Sequence, residues 1–510
     1  MGADEKSDYG STWYAGTTPL PPPRAALNYD LDVDVCVIGG GLAGLTVARE
    51  VARRGWSVAI FEARRIAWNA SGRNSGVVLP GFSAPVEKVV ERIGVPATKA
   101  LWELSQSGVQ YIRDAIAEIG DVGIIEGNGW LDVSKWPDAD RILARAALLE
   151  EMGIDAEGWK AERVRDTLRS PHYFDAIYFP DAFQINPLAY ALGLAGIALQ
   201  SGVRIFENTR VTAVDLAGIR KRIETPRGRV RAGHVVLAGN VHLGGIVRTI
   251  ADTLIPVTAF TGVTQPLVKR LALAMAFGGA VSHSRHAGHH YRIVGHDRLL
   301  WTARASGGAR WARKSLERAI RATFPQLGPV QFEHFWPSET GFAVHGMPQI
   351  GEVERGVWLA SAFGAQGLNT SAMAGNLIAR AIVERDDSWR HFLPFELVWA
   401  GGRAGHTVAR TAAWWWRQSD AARALVARRH EEFQRKRLEK KAAGPGVAEA
   451  SKINFPSGYD PMATLTAVRR VLKNSLATGD RPIDAPEAVP AAGVDGDGSD
   501  RARRKPGTIR

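Results

Sequence analysis

The chain has 510 residues, a length that corresponds to roughly two to four domains and excludes a small binding module. Hydrophobic residues make up 45% of the chain and charged residues 23%, which is a globular composition and not a disordered one. Lys and Arg (64) exceed Asp and Glu (52), giving a formal net charge of +12, but the excess lies toward the C-terminal end. Net charge is the only feature of this sequence that would support nucleic-acid binding, so we expect no nucleic-acid partner.

Cysteine content and hydropathy bear on the cellular compartment. The single cysteine, Cys36, cannot form an intrachain disulfide or a multi-cysteine metal site. The first 30 residues contain no apolar core of signal-peptide length, and no run of 18 apolar residues occurs in the sequence. The sequence therefore predicts a cytoplasmic protein that does not span a membrane.

A glycine-rich turn follows the first predicted strand. The pattern predicts a strand, a turn, a helix and a second strand at Asp34–Ile38, Gly39–Gly44, Leu42–Arg54 and Ser57–Phe61. Gly39, Gly41 and Gly44 have the G-x-G-x-x-G spacing, in which the glycines permit a tight turn, close approach to a pyrophosphate and close helix packing. This order predicts dinucleotide binding at the N-terminus of the helix.

An acidic residue closes the second predicted strand. Glu62 lies 18 residues after Gly44, where a carboxylate can accept hydrogen bonds from the 2′-hydroxyl of an adenosine ribose. The loop that follows, up to Gly76, is rich in small residues, whereas a nicotinamide enzyme would more often begin a helix soon after the acid. These features favour FAD over NAD.

The stretch from Glu62 to Gly76 reads EARRIAWNASGRNSG. It resembles the E-A-x-x-I-x-x-x-A-S-G-R-N-x-G signature of the D-amino-acid oxidase superfamily, especially its glycine/sarcosine oxidase-like and gamma-glutamylputrescine oxidase-like branch. Segments in family order extend the resemblance from about residue 30 to residue 390: Gln184–Pro187, Gly202–Val211, His234–Asn240, Pro348–Gly351 and Trp358–Gly375. The resemblance implies FAD as cofactor and oxidation of a C–N bond in an amine or amino acid, by hydride transfer to flavin and imine hydrolysis.

The resemblance also implies which residues contact FAD. Val211 is expected near the adenine, and the turn at Gly367 is expected to open a helix toward the isoalloxazine, an ordinary helix start being the alternative. A helix N-terminus there would stabilise negative charge on reduced flavin. The expected cofactor residues are Ile38, Gly39, Gly41, Leu42, Ala43, Gly44, Glu62, Ala63, Arg64, Ser71, Arg73, Asn74, Ser75, Gly76, Val211, Ala238, Gly239, Gly364, Gly367, Leu368 and Asn369.

The sequence predicts that FAD is held noncovalently. Several relatives attach it through a Cys in the C-terminal part or a His in the loop after the ribose-binding acid. Here the only thiol, Cys36, falls within the first predicted strand, and the loop Ile66–Ser71 contains no His.

Tyr291 and Arg292 are the candidate substrate residues. They occupy the place where the resembling enzymes often have a Tyr-Arg pair on a substrate-domain strand, and an arginine can hold a carboxylate with its planar fork. A surface-strand arginine is the alternative. The expected partners are a small amine or amino acid, with oxygen or another compound as electron acceptor.

Histidines cluster before this pair, at His283, His286, His289 and His290. No acidic or cysteine partner accompanies them, so we expect loop or pocket-lining residues and no metal site. His345 is expected either near the flavin or in a turn.

The predicted fold class is α/β, with a discontinuous Rossmann-like FAD-binding domain, an α+β substrate-binding domain and a helical C-terminal extension. The predicted bounds are 1–29 for an N-terminal arm, 30–95, 180–245 and 335–390 for the FAD-binding domain, 96–179 and 246–334 for the substrate-binding domain, 391–480 for the basic helical extension and 481–510 for a disordered tail. Predicted elements of the substrate-binding domain are helices at Leu101–Ile119 and Asp138–Met152, a strand at Ile124–Val133 and a hairpin of His289–Val294 with Leu299–Arg304.

The extension has an apolar seam at approximate heptad spacing, formed by Val408, Ala412, Trp415, Ala422, Val426 and Phe433. The seam needs a partner, for which the candidates are the catalytic core, a second subunit, or a lipid surface contacted by Trp414–Trp416 and arginines. A second amphipathic helix is predicted from Asp460. The extension also motivates an alternative function, a membrane-associated dehydrogenase or electron-transfer subunit that contains FAD and uses a partner acceptor instead of oxygen.

Overall fold

The computed structural model describes residues 9–402, apart from 121–122, 284–287 and 306–307, and scattered positions between 405 and 437. Its contacts divide the chain into two units, Met1–Arg437 and Leu438–Arg510. The second unit lies outside the described residues, and so do the helix predicted from Asp460 and the predicted disordered tail.

Helices and strands alternate along the described chain. The helices are α1 (Trp13–Thr17), α2 (Leu42–Arg53), α3 (Ala70–Arg73), α4 (Val86–Ile119), α5 (Ala139–Glu151), α6 (Ala161–Leu168), α7 (Pro187–Gln200), α8 (Arg248–Ala251), α9 (Lys269–Ala274), α10 (Ala309–Thr323) and α11 (Gly367–Glu384). The strands are β1 (Leu31–Ile38), β2 (Val58–Phe61), β3 (Val77–Val78), β4 (Ile125–Val133), β5 (Glu157–Trp159), β6 (Ala176–Ile185), β7 (Arg204–Phe206), β8 (Ala213–Asp215), β9 (Lys221–Thr225), β10 (Gly228–Leu237), β11 (Ile255–Thr264), β12 (Ala280–His283), β13 (His289–Val294), β14 (Arg298–Arg304), β15 (Phe332–Phe342), β16 (Gln349–Glu354) and β17 (Val357–Ser361).

The first sheet has the order β16-β17-β10-β1-β2-β7 within the described residues, with β9 and then β8 beside β10. Strands β17, β10, β1, β2 and β7 pair in parallel, while β16 and β9 run antiparallel to their neighbours. The apolar run that ends β1 is buried on both faces, as is typical of a central parallel strand. The predicted order of strand, turn, helix and strand is confirmed by β1, α2 and β2.

Helices cover one face of this sheet. Val35 and Val37 point toward the core that includes α2 and α11, whereas Cys36 and Ile38 point to a second core on the opposite face. The alternation along β1 therefore places the only thiol among apolar side chains.

The second sheet has the order β15-β11-β14-β13-β12-β4-β6-β3 in the described part of the chain, with β5 beside β6. Its strands pair antiparallel except for β12 with β4. The predicted hairpin is confirmed by β13 and β14, and its turn has positive φ at Gly295 and His296. Tyr291 and Trp301 pack in the core that includes Leu316 and Ile320 of α10. The sheet takes strands from both predicted substrate-domain segments, while β3, part of β6 and most of β15 come from segments predicted for the FAD-binding domain. The domain bounds therefore stay a prediction.

The predicted helices in the first substrate-domain segment are present with different starts. The helix predicted from Leu101 is the later part of α4, which begins at Val86 and is interrupted at Gly94, where φ is 79°. A proline two residues later disfavours a regular helix there. The helix predicted from Asp138 is α5.

The segment before β1 packs into the body. Tyr9, Tyr14 and Leu27 are buried, and Tyr14 joins the core that includes α2. The predicted arm, where described, is thus packed into the body of the first unit, Met1–Arg437.

Beyond α11, the described positions between 402 and 437 are helical, as predicted. The seam residues Trp415, Val426 and Phe433 are exposed. At these positions the catalytic core is therefore not the partner of the seam. No described helix has both the length and the apolar character needed to cross a membrane.

Candidate active site

A cavity of about 600 Å³ lies between the carboxyl ends of β1, β2 and β10 and one face of the second sheet. Ligands of doubly wound α/β proteins bind at this edge of the sheet, and the volume suits a small-molecule site. Two groups of residues line it, one from the first sheet and its helices and one from the second sheet.

The glycine turn after β1 packs tightly against its surroundings. Gly39 has a φ of 114°, and a Cβ atom there would lie 2.7 Å from the carbonyl oxygen of Ala238. A Cβ at Gly44 would lie 2.1 Å from the carbonyl oxygen of Gly39, so α2 can begin this close to the turn only with glycine at that position. The prediction that Gly44 permits close helix packing agrees with this geometry.

Glu62 is held in the cavity wall by backbone donors. Its Oε2 accepts a hydrogen bond from the Gly40 N–H (2.8 Å) and its Oε1 one from the Arg64 N–H (2.9 Å). Burial raises the pKa of the carboxyl group, and these backbone hydrogen bonds act in the opposite direction. Each oxygen retains a lone pair for a further donor.

The loop after Glu62 is closed by Asn74. Its Nδ2 donates to the carbonyl oxygens of Ala70 and Ser71 (3.0 Å each), and its Oδ1 accepts from the Gly76 N–H (2.8 Å). Ser71 Oγ in turn accepts a hydrogen bond from the Leu42 N–H at the start of α2 (3.0 Å). The small residues of the signature thus form one short helix that docks on the glycine turn.

Most of the residues predicted to contact FAD line the cavity. They are Ile38, Gly39, Gly41, Leu42, Ala43, Glu62, Ala63, Arg64, Ser71, Asn74, Ser75, Val211, Ala238, Gly239, Gly364, Gly367 and Leu368. Helix α11 begins at Gly367, as predicted, so its N-terminal end lies at the wall.

Four of the predicted residues, Gly44, Arg73, Gly76 and Asn369, lie behind the wall and do not line it. Arg73 Nη2 donates to the Tyr9 carbonyl oxygen (3.1 Å), and Asn369 Nδ2 donates to the Gly81 carbonyl oxygen (3.0 Å). A Cβ at Gly76 would lie 2.1 Å from the Ile185 carbonyl oxygen. These four residues support the wall from outside, and their contact with the cofactor stays a prediction.

The second sheet supplies a wall that the sequence did not reveal. Its lining residues include Val257, Ala259, His290, Thr302, Arg304, Ser338, Thr340 and Phe342. They come from four strands, and the register places Ala259 opposite both Arg304 and Ser338, and His290 opposite Thr302. The alternation of side chains within each strand indicates which residues share a face of the sheet. It does not indicate which strands are neighbours, so these lining residues could not be predicted from it.

His290 is the titratable ring of this wall. Its Nδ1 lies 2.5 Å from Ser282 Oγ, which accepts a hydrogen bond from Trp130 Nε1 (2.7 Å). Burial lowers the pKa of His290 to about 4, with a smaller effect of Arg304 in the same direction. The ring is therefore neutral at pH 7.

Arg304 is the cation of this wall. Its guanidinium carbon lies 4.7 Å from the ring centroid of Phe342. Burial lowers the pKa of Arg304, yet an arginine remains protonated at neutral pH. The cavity therefore has a positive charge in a largely desolvated position.

Tyr291 and Arg292 do not line the cavity. Tyr291 stacks on Trp301 with ring centroids 4.4 Å apart, and its hydroxyl donates to Tyr173 Oη (2.9 Å). Arg292 is also buried, and its Nη1 lies 2.6 Å from Glu126 Oε2. Their polar groups are directed at other protein atoms, so this geometry does not support substrate contact, which stays a prediction for both residues.

Arg292 holds the loop after Glu62 against the second sheet. Its Nε donates to the Ser75 carbonyl oxygen (2.9 Å), and its Nη2 to the Ile185 carbonyl oxygen (3.0 Å) and Tyr14 Oη (3.3 Å). Tyr14 Oη donates to the Asn74 carbonyl oxygen (3.0 Å). The N-terminal segment and β13 thus fix the same loop.

The other histidines have structural positions. His283 stacks on His289 with ring centroids 5.0 Å apart, and its Nδ1 lies 2.6 Å from Tyr173 Oη. His345 belongs to a turn, in which its Nδ1 accepts from the Met347 N–H (3.1 Å). His286 lies outside the described residues. Among the residues that are described, no group of three His, Cys, Asp or Glu side chains could hold a metal ion.

Comparisons with known proteins agree with this architecture. The family model "FAD dependent oxidoreductase" matches residues 34–381. The gamma-glutamylputrescine oxidoreductase of Escherichia coli is 26% identical over 417 residues, which cover 78% of this chain and 95% of that protein. The probable oxidoreductase OrdL of Haemophilus influenzae is 25% identical, with 72% of this chain and 86% of that protein covered.

Solved structures share the fold. Glycine oxidase from Geobacillus kaustophilus has a TM-score of 0.60 at 20% identity, covering 72% of this chain and 99% of that one. The L-amino acid deaminase of Proteus myxofaciens has a TM-score of 0.58 at 17% identity, covering 72% and 94%. These comparisons do not favour the alternative of an electron-transfer subunit. The chain therefore belongs to the FAD-dependent oxidoreductase family, and it is an enzyme with FAD as its cofactor.

Proposed function

We propose that this enzyme oxidises the C–N bond of an amine or amino acid by hydride transfer, and that the imine product is hydrolysed. FAD, when bound, supplies the hydride acceptor. The observation that carries the proposal is one cavity that joins the glycine turn, Glu62 and the start of α11 to a wall with a half-buried arginine, Arg304. Cofactor and substrate can therefore meet inside it.

The residues of the first wall suit a dinucleotide. The glycine turn leaves space for a pyrophosphate at the N-terminal end of α2, and Glu62 presents a fixed carboxylate to a ribose hydroxyl. Val211 is assigned to the adenine. The N-terminal end of α11, at Gly367, is assigned to the isoalloxazine, where its partial positive charge would stabilise negative charge.

The residues of the second wall suit a small polar substrate. Arg304 has a planar fork that matches a carboxylate, and the low dielectric of a buried site strengthens the attraction. His290 is neutral, so it adds no positive charge beside Arg304 that would repel an amine. We assign Arg304 to substrate binding and His290 to the surrounding polar wall.

The names of the relatives support this class. Gamma-glutamylputrescine oxidoreductase and glycine oxidase, named for an amine derivative and an amino acid, both match this sequence over a large share of their length. The proposal keeps both substrate classes, and it keeps oxygen and other compounds as electron acceptors.

Anaerobic reduction of the bound flavin tests the proposal. Purified enzyme is mixed with polyamines, monoamines, glycine, and D- and L-amino acids, and loss of flavin absorbance is followed. We expect at least one amine to bleach the flavin, and failure of the whole panel would refute the proposal. Hydrogen peroxide formed in air would identify oxygen as the acceptor.

Arg304→Met tests the substrate assignment. It should raise the concentration needed for half-reduction by carboxylate-bearing amines about tenfold or more, because a charged hydrogen-bond partner is lost. Exposed Arg222→Met, which does not line the cavity, is the matched control. An unchanged concentration for every carboxylate-bearing substrate would contradict the assignment.

We also propose that FAD is noncovalent. Cys36 is buried in β1 and points away from the α2 side of the sheet, into the core that contains Phe61. Acid precipitation should release all of the flavin into the supernatant. Yellow colour in the pellet would refute this and direct attention to the cavity histidines, His242 and His290.

A further inference from the structure

The helical segment after residue 402 is strongly basic. Between residues 403 and 437 the chain has nine Lys and Arg and three Asp and Glu, which is half of the formal net charge of +12. This segment lies beyond the part of the chain that matches the family model, which ends at residue 381. Its charge is therefore a property added to the common fold.

An exposed apolar stripe runs along this helix. Trp415, Ala422, Val426 and Phe433 are spaced by seven, four and seven residues, so they share one face. Trp415 is 66% exposed, Val426 62% and Phe433 64%. Side chains of this size and exposure, repeated on one helix face, form a surface that is suited to a partner.

A second apolar patch lies just before the helix. Leu393 is 58% exposed and Trp399 67%, and Leu397 and Val398 between them are exposed as well. The patch is fixed to the catalytic body, because the Ala400 N–H donates to the Asp252 carbonyl oxygen (2.8 Å). The patch and the stripe together are named the C-terminal surface.

The charges decide between the candidate occupants. Exposed cations, among them Arg423, Arg429 and Arg437, accompany the stripe. A second copy would bring the same positive charge to the interface, whereas an anionic lipid surface would neutralise it. Tryptophan side chains also prefer the boundary between headgroups and acyl chains.

We propose that the C-terminal surface binds the anionic face of a lipid bilayer. The apolar stripe would insert at the headgroup boundary while the arginines contact lipid phosphates. The helix would lie in the plane of the interface, with the catalytic unit in water. This proposal is independent of the substrate of the enzyme.

Co-sedimentation of the full-length holoenzyme with vesicles tests it. Vesicles of phosphatidylcholine with about 30 mol% phosphatidylglycerol are compared with vesicles of phosphatidylcholine alone, at about 0.05 M and about 0.5 M NaCl. We expect binding to the anionic vesicles at low salt, and at least about tenfold weaker binding without phosphatidylglycerol or at high salt. Equal binding to both vesicles, or none, would overturn the proposal.

Substitutions separate the stripe from non-specific attraction. The double variant Trp415→Ser, Phe433→Ser should weaken vesicle binding by about tenfold or more, because two aromatic side chains no longer insert. Ile219→Ser, at a site 86% exposed on the catalytic unit, is the matched control and should bind as the unmodified enzyme does. Flavin content and flavin bleaching should be unchanged in both.

Light scattering addresses the second-copy alternative. A dimer that dissociates in the double variant, together with vesicle binding that the variant does not lose, would assign the stripe to a second copy and overturn the proposal. An oligomeric state unaffected by the double variant, with vesicle binding lost, would support it.

Discussion

Arg292→Met distinguishes a structural arginine from a substrate arginine. Methionine keeps most of the side-chain length but removes the ion pair with Glu126 and the hydrogen bonds to Ser75, Ile185 and Tyr14. The Arg292 side chain is 2% exposed and that of Glu126 is 21% exposed, so the ion pair is only partly screened by water. A buried carbonyl oxygen, that of Ile185, and a partly buried one, that of Ser75, would lose a donor, and the Glu126 carboxylate would lose its cation.

The expected cost follows from these interactions. Breaking one partner of a buried charged pair typically destabilises a protein by about 3–5 kcal/mol, and the effects of removing neighbouring interactions together do not add in full. We therefore expect a loss of about 3–5 kcal/mol in the free energy of unfolding, from a total that is usually about 5–15 kcal/mol. FAD affinity should fall as well, because Ser75 and its neighbour Asn74 line the cavity.

Urea unfolding of the FAD-free protein, with a separate FAD titration, provides the measurement. Arg292→Lys should give an intermediate loss, because it keeps the charge but cannot reproduce the forked donors. Adding Glu126→Gln to Arg292→Met should recover part of the loss, since the unpaired carboxylate is removed. If Arg292→Met unfolds at the same urea concentration as the unmodified protein and raises only the amine concentration for flavin reduction, the structural role is wrong and the substrate role is right.

Three further predictions concern the cofactor wall and the buried histidine. Glu62→Ala should weaken FAD binding by about 1–3 kcal/mol in a titration and Glu62→Gln by less, because Gln keeps an acceptor oxygen; equal affinity in all three proteins would contradict the ribose assignment. Gly44→Ala should abolish or strongly reduce FAD content, because its Cβ would lie 2.1 Å from a carbonyl oxygen, whereas Gly196→Ala, on a helix with open space around it, should be tolerated. Between pH 6.5 and about 4 the unfolded chain binds a proton that folded His290 does not, so the free energy of unfolding should fall as the pH is lowered through that range. In His290→Gln this decrease in the free energy of unfolding should be smaller by about 3 kcal/mol, as measured by urea unfolding at a series of pH values. The same pH dependence in the variant and the unmodified protein would argue against a neutral His290 ring.

Local patterns and the family resemblance together predicted one wall of the cavity. Gly39, Gly41 and Glu62 follow from local patterns and the turn at Gly367 from the resemblance, and all four residues line the cavity. The glycines need a tight turn, Glu62 needs the end of a strand and Gly367 needs the start of a helix. Each of these local structures can be predicted from neighbouring residues.

The wall from the second sheet depends on pairing between distant segments. Arg304 lines the cavity because β14 pairs with β11, and β11 with β15, a register that no local pattern specifies. The family resemblance points instead to Arg292, which carries the same chemistry on the neighbouring strand β13. Arg292 lies two residues after His290 on β13, so alternation places both side chains on the same face of the sheet. At Arg292, however, the loop at Ser75 covers that face, and the arginine contacts the loop.

The loop of residues 66–76 is held from three directions, and this has a consequence for biosynthesis. Tyr14 binds it across 60 residues of sequence, Arg292 across 217 and Trp336 across 263. During translation the N-terminal contact can form early, but the other two must wait until the ribosome has passed residue 336. The nascent chain therefore exposes an unfinished cavity for most of its synthesis, and FAD capture is expected to be a late event that completes folding of the catalytic unit.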